Sequence, residues 1–168
     1  RDGVLRESGI YAKGKRNSTF TEYYQDGVTP RKETPMQQGK IDGTVKTYFR
    51  NGKIEAEKEY KQSVESGRER RFDSKTGEQI FESHYIDGKK DGEEWEIFED
   101  ASTLRSRIIR HYRNGKLDGS YRVESTRDGK PYITIEGQYT DGEKSGQWIE
   151  HNYDNNTQTC TWHGEGGA

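Results

Sequence analysis

The chain has 168 residues, 28 Lys and Arg against 30 Asp and Glu for a net charge of -2, and 26% hydrophobic beside 35% charged residues. The balanced charge supplies no general pull toward nucleic acid or an anionic membrane surface, and no run of the roughly twenty apolar residues that a membrane helix needs is present. So small an apolar fraction lies near the range where disorder is expected, yet three Trp, eleven Tyr and five Phe recur at fixed phase. Aromatic rows of that kind stabilise a sheet by same-face stacking without a thick core.

The phase comes from an internal repeat, the first thing to look for in a chain of this kind. The phrase aromatic-x-x-Gly-(Lys/Glu)-x-x-Gly occurs as Tyr85, Gly88, Lys89, Gly92, as Tyr112, Gly115, Lys116, Gly119 and as Tyr139, Gly142, Glu143, Gly146, with Met36, Gly39, Lys40, Gly43 as an upstream copy. Two copies are degraded: Tyr11, Gly14 and Lys15 are followed by Ser18, and Tyr60 is followed by Ser63 and then Gly67. Residues 1-10 read as the back half of a unit, and full units start near 11, 36, 60, 85, 112 and 139. This gives one repeat domain over residues 1-168 with about six units.

A second marker follows each anchor by about sixteen residues: Asp26-Gly27, Asn51-Gly52, Thr76-Gly77, Asp128-Gly129 and Asn155-Asn156, with no Gly near Ser102 in the fourth unit. Asn-Gly and Asp-Gly between alternating stretches predict type I′ hairpin turns, whose two central residues need positive φ. Each unit is therefore read as one β-hairpin. The 20 Gly and three Pro agree, since such turns need Gly and strands need every N–H.

Strand parity separates two faces. Six, four and zero residues before each anchor stand Ile54, Ala56, Tyr60, then Gln79, Phe81, Tyr85, then Ser106, Ile108, Tyr112, then Ile133, Ile135, Tyr139, a largely apolar face. The alternate positions hold Glu55, Glu57, Glu59, then Ile80, Glu82, His84, then Arg107, Ile109, His111, then Thr134, Glu136, Gln138, a face expected to be wet. In the first strand of each hairpin Phe20, Tyr23, Tyr48, Phe49, Trp95, Phe98 and Trp148 keep no single parity, which predicts bulges. The expected fold is all-β: an elongated, single-layer antiparallel meander of repeated hairpins.

Two basic runs are candidates for partner contacts. Arg105, Arg107, Arg110 and Arg113 are expected to pair across strands with Asp91, Glu93, Glu94, Glu96, Glu99 and Asp100. Arg68, Arg70 and Arg71 have fewer acids nearby in sequence and are the better candidate for a charged partner.

Chemistry-bearing motifs are few. His84 and His111 occupy equivalent positions in adjacent units, roughly 9 to 10 Å apart on hairpin spacing, too far to share one zinc. Cys160 and His163 have the spacing of half a metal site, but nothing completes the set, and a terminal strand is the preferred reading. The carboxylates alternate as a solvated face does, and no Gly-rich phosphate loop is present. No enzyme, cofactor or metal is expected. The chain opens on Arg1, and "DGVLRESGIY" begins at a turn whose preceding strand is missing. A longer natural product, from which a signal or lipid-anchor sequence was removed, is the expectation.

The phrases "YRNGKLDGSY" (112-121), "YTDGEKSGQW" (139-148) and "MQQGKIDGTV" (36-45) resemble the MORN repeat in its bacterial variant form. The resemblance implies the hairpin sheet already argued and a non-catalytic binding module, similar to bacterial YwqK-like antitoxin or immunity proteins. The implied partner is a cognate toxin or effector, in the periplasm or the cytoplasm according to where it acts. The alternative is a lipid-surface or scaffolding role; no nucleic acid is expected, and the oligomeric state is left open. An uncovered face carrying Ile54, Tyr60, Phe81, Tyr85, Ile108 and Tyr112, with Arg68, Arg70 and Arg71 at its side, is the candidate partner surface.

Overall fold

The computed structural model describes residues 3-99, 105-127, 129-152 and 156-164. Asp100, Ser102, Asp128 and Asn155, which figure in the sequence reading, lie outside the described residues. The described chain is all-β, and its strands form an antiparallel meander of successive hairpins in one sheet that follows chain order. The chain divides into two compact units, Arg1–Lys89 and Lys90–Ala168, taken in turn below.

The first unit holds β1 (Glu7–Ser8), β2 (Tyr11–Ala12), β3 (Lys15–Arg16), β4 (Thr19–Tyr23), β5 (Pro30–Gln37), β6 (Lys40–Ile41), β7 (Gly43–Tyr48), β8 (Ile54–Lys61), β9 (Val64–Phe72) and β10 (Gln79–Ile86). Its main path runs β1-β4-β5-β7-β8-β9-β10, while β2 and β3 form a small ribbon of their own and β6 pairs β5. After β11 (Lys89–Lys90), the second unit holds β12 (Gly92–Glu99), β13 (Arg105–Arg113), β14 (Lys116–Arg127), β15 (Lys130–Thr140), β16 (Glu143–Asn152) and β17 (Thr157–His163), paired in that order.

Two kinds of turn alternate, and the type I′ geometry expected at the marker dipeptides belongs to the other kind. The type I′ turns are not at the Asp-Gly and Asn-Gly markers but inside the anchor phrase, at Lys13-Gly14, Gln38-Gly39, Gln62-Ser63, Asp87-Gly88, Asn114-Gly115 and Asp141-Gly142. The first residue of each pair has φ between 48° and 54° and the second between 69° and 94°, as this turn requires. At the markers that contain glycine, Gly27, Gly52, Gly77 and Gly129 have positive φ, while Asp26, Asn51 and Thr76 do not, and at the last marker Asn156 is left-handed with φ 52°. Those loops are wider and are closed by side chains, as where Asp26 Oδ1 accepts from Val28 N (2.9 Å) and Thr29 N (2.8 Å). The marker dipeptide is correct for a turn, but loop length, which selects the turn type, is fixed only by where the strands stop pairing.

The tight turns stack within each unit. The N–H of the second turn residue donates to the carbonyl two residues beyond the previous turn: Gly39 to Arg16, Ser63 to Ile41 and Gly88 to Glu65 in the first unit, Gly115 to Lys90 and Gly142 to Leu117 in the second, all at 2.7 to 2.9 Å. The acid before the second Gly of the phrase supports the next turn, for Asp91 Oδ2 accepts from Asn114 N at 3.0 Å. The recurring Gly-x-x-x-Gly spacing puts one glycine in the turn and one four residues on, at the start of the next strand (Gly43, Gly92) or within it (Gly119, Gly146). At Gly119, for example, φ is 120° and an added Cβ would lie 3.0 Å from His111 Cβ.

Bulges occur where the parity failed in part. Registers shift at Glu22/Tyr23 and at Thr47/Tyr48. The pairing of β12 with β13 is unbroken, so Trp95 and Phe98 occupy opposite faces with no bulge between them; the expectation of one there is corrected.

Candidate binding surface

Parity placed Ala56, Tyr60, Phe81 and Tyr85 on one face, and the registers carry it across the strands for three of them: Ala56 faces Arg71, Arg71 faces Phe81 and Gly67 faces Tyr85, while a register shift after Lys58 sets Tyr60 against Glu65. That face is not simply apolar. Two residues before each anchor, the one in-phase position omitted from the sequence reading, stand Gly9, Thr34, Lys58, Ser83, Arg110 and Gly137, none of them a large hydrophobe. Eleven residues further on come Phe20, Val45, Glu69, Glu94, Tyr121 and Trp148, and all of these but the half-buried Tyr121 are buried. Within each unit this position thus contributes a large or charged side chain to a thin core, beside the buried Phe81 in the first unit and the buried Ile109 and Val123 in the second.

Size and charge complement each other within the row. A Cβ on Gly9 would meet the Phe20 ring at 2.5 Å, and one on Gly137 would meet the Trp148 ring at 2.3 Å, so each glycine is the floor on which an aromatic lies. Where the row residue is a carboxylate, a neighbouring strand sets a base against it: Lys58 pairs with Glu69, and Arg110 with Glu94. Lys58 Nζ reaches Glu69 Oε2 at 3.1 Å and Glu65 Oε1 at 2.7 Å. Arg71 donates twice to Glu69 Oε1 (3.1 and 3.0 Å), the Tyr85 hydroxyl donates to Glu69 Oε2 (3.0 Å), and Lys58 lies over the Tyr85 ring at 4.5 Å. Arg71 covers Phe81 at 4.0 Å.

The second unit repeats the device around Glu94, which is 0% exposed. Arg110 Nε donates to Glu94 Oε1 at 2.6 Å, Lys90 bonds to Glu94 Oε2, and Lys90 stacks over Tyr112 at 5.0 Å. Beyond it Tyr121, Tyr139 and Trp148 form a trio with ring centroids 5.2 to 5.7 Å apart. Trp148 Nε1 donates to the Gln138 carbonyl at 3.1 Å, and Lys144 lies 4.0 Å over the indole.

Burial alone would raise the carboxyl pKa of Glu69 and Glu94, but hydrogen bonds and charge from Lys58 and Arg71 in one case, and from Lys90 and Arg110 in the other, hold both below the usual carboxylate range. Both are therefore ionised at neutral pH. The tyrosines move the other way: burial, then the Glu69 charge, pushes Tyr85 up to about 12, and burial followed by Glu94 raises Tyr112. The carboxylates are thus neutralised by paired bases, and Lys58 and Lys90 each lie over an aromatic ring.

The sequence-predicted residues fall as follows. Phe81 is buried; Ile54, Tyr60, Tyr85, Ile108 and Tyr112 are half-buried. Arg68, Arg70 and Arg71, expected to have fewer acids nearby, each have one: antiparallel pairing sets glutamates of β8 against the first two, and Arg71 takes Glu69 of its own strand. Arg68 meets Glu59 (3.8 Å), Arg70 meets Glu57 (2.9 Å) and Arg71 meets Glu69 (3.0 Å). In the second basic run Arg110 pairs with Glu94 and Glu96 as expected, but Arg113 turns to Asp118 at 3.2 Å and Arg107 lies over Trp95 at 4.5 Å. The face expected to be wet also buries a hydrophobe, Ile109, opposite Trp95. Cys160 is exposed and stands at odd spacing from His163 on β17, which puts the two on opposite faces. Among the described residues there is no group of three His, Cys, Asp or Glu placed to hold a metal ion, and no helix is long and apolar enough to cross a membrane.

Comparison with protein-family models and with curated proteins finds no match to this chain.

Proposed function

We propose that this protein is a non-enzymatic binding protein built of MORN-like hairpin repeats, of the immunity or antitoxin kind, that neutralises a cognate bacterial toxin or secreted effector by covering it. The observation that carries this reading is the clamped aromatic face. Tyr85 and Tyr112 are half-buried, braced by hydrogen bonds to buried carboxylates and by stacked lysines. Rings held in one rotamer lose little entropy when a partner arrives, and tyrosines beside Arg are the usual composition of binding hot spots. The compartment follows that of the toxin, periplasmic or cytoplasmic.

The test is capture from the source organism with tagged protein, identification of a stoichiometric partner, and assay of that partner's toxic activity with and without this chain. Replacing Tyr85 and Tyr112 together by Ser is expected to weaken the complex by about thirtyfold or more per ring, while the Phe pair, which keeps both rings, retains it. Thermal melts of each variant separate lost binding from lost folding. A complex indifferent to the Ser pair refutes the assignment of this face. The alternative, a lipid-surface role, draws on the exposed Val64 and Ile86 close to the tight turns; flotation with anionic vesicles and no protein partner would transfer the function to it.

A further inference from the structure

Two of the stacked tight turns of the first unit wall a notch whose charge differs from that of its counterparts. The Lys13-Gly14 and Gln38-Gly39 turns are joined where Gly39 N donates to the Arg16 carbonyl at 2.9 Å. Between them lies a cavity of about 330 Å³ lined by Ala12, Lys13, Lys15, Asn17 and Gln38. The Lys15 stem runs along the second turn, its Cβ, Cγ and Cδ 3.7 to 3.8 Å from where a Cβ on Gly39 would stand. Among the described residues neither Lys13 nor Lys15 forms an ion pair, and Glu7, the acid of β1, is held by Arg16 at 2.6 Å.

The other repeats serve as the comparison. Asn17 does what an acid does elsewhere: its Oδ1 accepts from Gln38 N at 3.0 Å, as Asp91 Oδ2 accepts from Asn114 N. It does so without charge. In Gln38, Lys40, Asp42 and in Asn114, Lys116, Asp118 the acid offsets the lysine, whereas Lys13, Lys15, Asn17 carry two positive charges, and no other repeat is positive at these three places. Lys116 in addition meets Asp141 at 3.4 Å. Lys13 also holds φ 50°, a left-handed conformation that suits Asn or Asp better than a long side chain, and Asp87, Asn114 and Asp141 take it in later turns. A cation kept at such a position, beside a second cation in a concave site without an acid, marks a place that lacks its negative charge.

We infer that this notch receives an acidic side chain, Asp or Glu, of a protein partner. The two ammonium groups supply the charge, and the side-chain amides of Asn17 and Gln38 add N–H donors for a carboxylate. The lining holds no large apolar side chain of the kind that enters a bilayer, and the cavity has room for a side chain rather than for a strand or helix. Exposed pairs of this sort contribute little affinity each and act mainly by orienting and speeding the approach of a partner. Only the identity of what carries the carboxylate rests on the binding-protein reading above.

The probe is N-acetylated hexaglutamate amide, titrated into the isotope-labelled full chain and followed by NMR. The backbone amides of Lys13, Lys15 and Gln38 are expected to shift saturably, with weaker binding as salt is raised. Asn17→Asp restores the acid of other repeats and keeps an acceptor for Gln38 N, so it is expected to melt like the wild type yet bind the peptide about threefold or more weakly. Lys13→Gln combined with Lys15→Gln is expected to weaken binding about tenfold; Gln38 and Gln62 already stand at the place of Lys13 in their own turns. Lys116→Gln, at the neutral counterpart in the second unit, is expected to leave binding unchanged. A wild-type chain with no saturable shift, undiminished binding by either notch variant, or displacement of the peptide by inorganic phosphate or anionic vesicles at equal concentration overturns the proposal. No toxin enters this measurement, so a failed capture counts against the function proposed above and a failed titration against the notch alone.

Discussion

Glu94→Gln is the sharpest test of the claim that buried ion pairs replace a hydrophobic core here. The change keeps shape and volume and removes one charge at a fully buried site whose partners are Arg110 and Lys90. Breaking a buried pair from one side costs about 3 to 5 kcal/mol, because the partner is left uncompensated. The side chains of Arg110 and Lys90 are 24% and 29% exposed, and Arg110 keeps Glu96 at 3.2 Å, so part of the cost is relieved by water and the lower end, about 3 kcal/mol, is expected. For a chain of this length that is a fall in Tm of about 6 to 12 °C, read by circular dichroism. The control is Glu96→Gln, which removes a 41% exposed carboxylate from the same arginine and is expected to cost no more than about 1 kcal/mol. The pH dependence has a definite sign. The folded pKa of Glu94 is depressed below the ordinary glutamate value of 4.5, so its contribution is complete above that value and is lost as pH falls through the folded pKa. The gap between wild type and Glu94→Gln therefore narrows on acidification. Equal melting of the two variants at pH 7, or a gap that widens in acid, refutes the argument.

Gly137→Ala is expected to lower stability by about 1 to 3 kcal/mol, since its Cβ meets the Trp148 ring at 2.3 Å; a changed near-ultraviolet Trp signal in the folded protein is the companion readout. Gly142→Ala isolates the turn: φ is 94° and nothing lies within 4 Å of the added Cβ, so a loss of about 1 to 2 kcal/mol in urea unfolding measures backbone strain alone. Ser63→Gly runs the other way. Ser63 holds φ 69° without glycine's freedom, and relief of strain is expected to raise stability by up to about 1 kcal/mol, less what is lost with the Ser63 Oγ that accepts from Ile41 N at 2.9 Å; a destabilised variant would show that this hydrogen bond outweighs the strain.

The repeat, its period and the hairpin meander were legible in the sequence because Gly-x-x-x-Gly and the marker dipeptides are local requirements of backbone conformation, and backbone conformation is written residue by residue. The anchor face was legible for the same reason, through strand parity. The turn types were not. Both Asp26-Gly27 and Asp87-Gly88 are Asp-Gly, yet only the second has both residues left-handed, and the difference lies in how far the flanking strands remain paired.

The buried row was half legible. Lys58, Ser83, Arg110 and Gly137 stand in phase with the aromatics, and a position that is never a large hydrophobe in an otherwise apolar column signals a facing group of complementary size or charge. What that group is required the pairing of strands distant in sequence. Only with β8 beside β9 does Lys58 meet Glu69, and only with β12 beside β13 does Arg110 meet Glu94. By itself the sequence determined a sheet of hairpins with a patterned face. The tertiary structure decided that the pattern is held by desolvated ion pairs as well as by rings, since whether a charge is solvated or buried depends on neighbours that one strand does not contain.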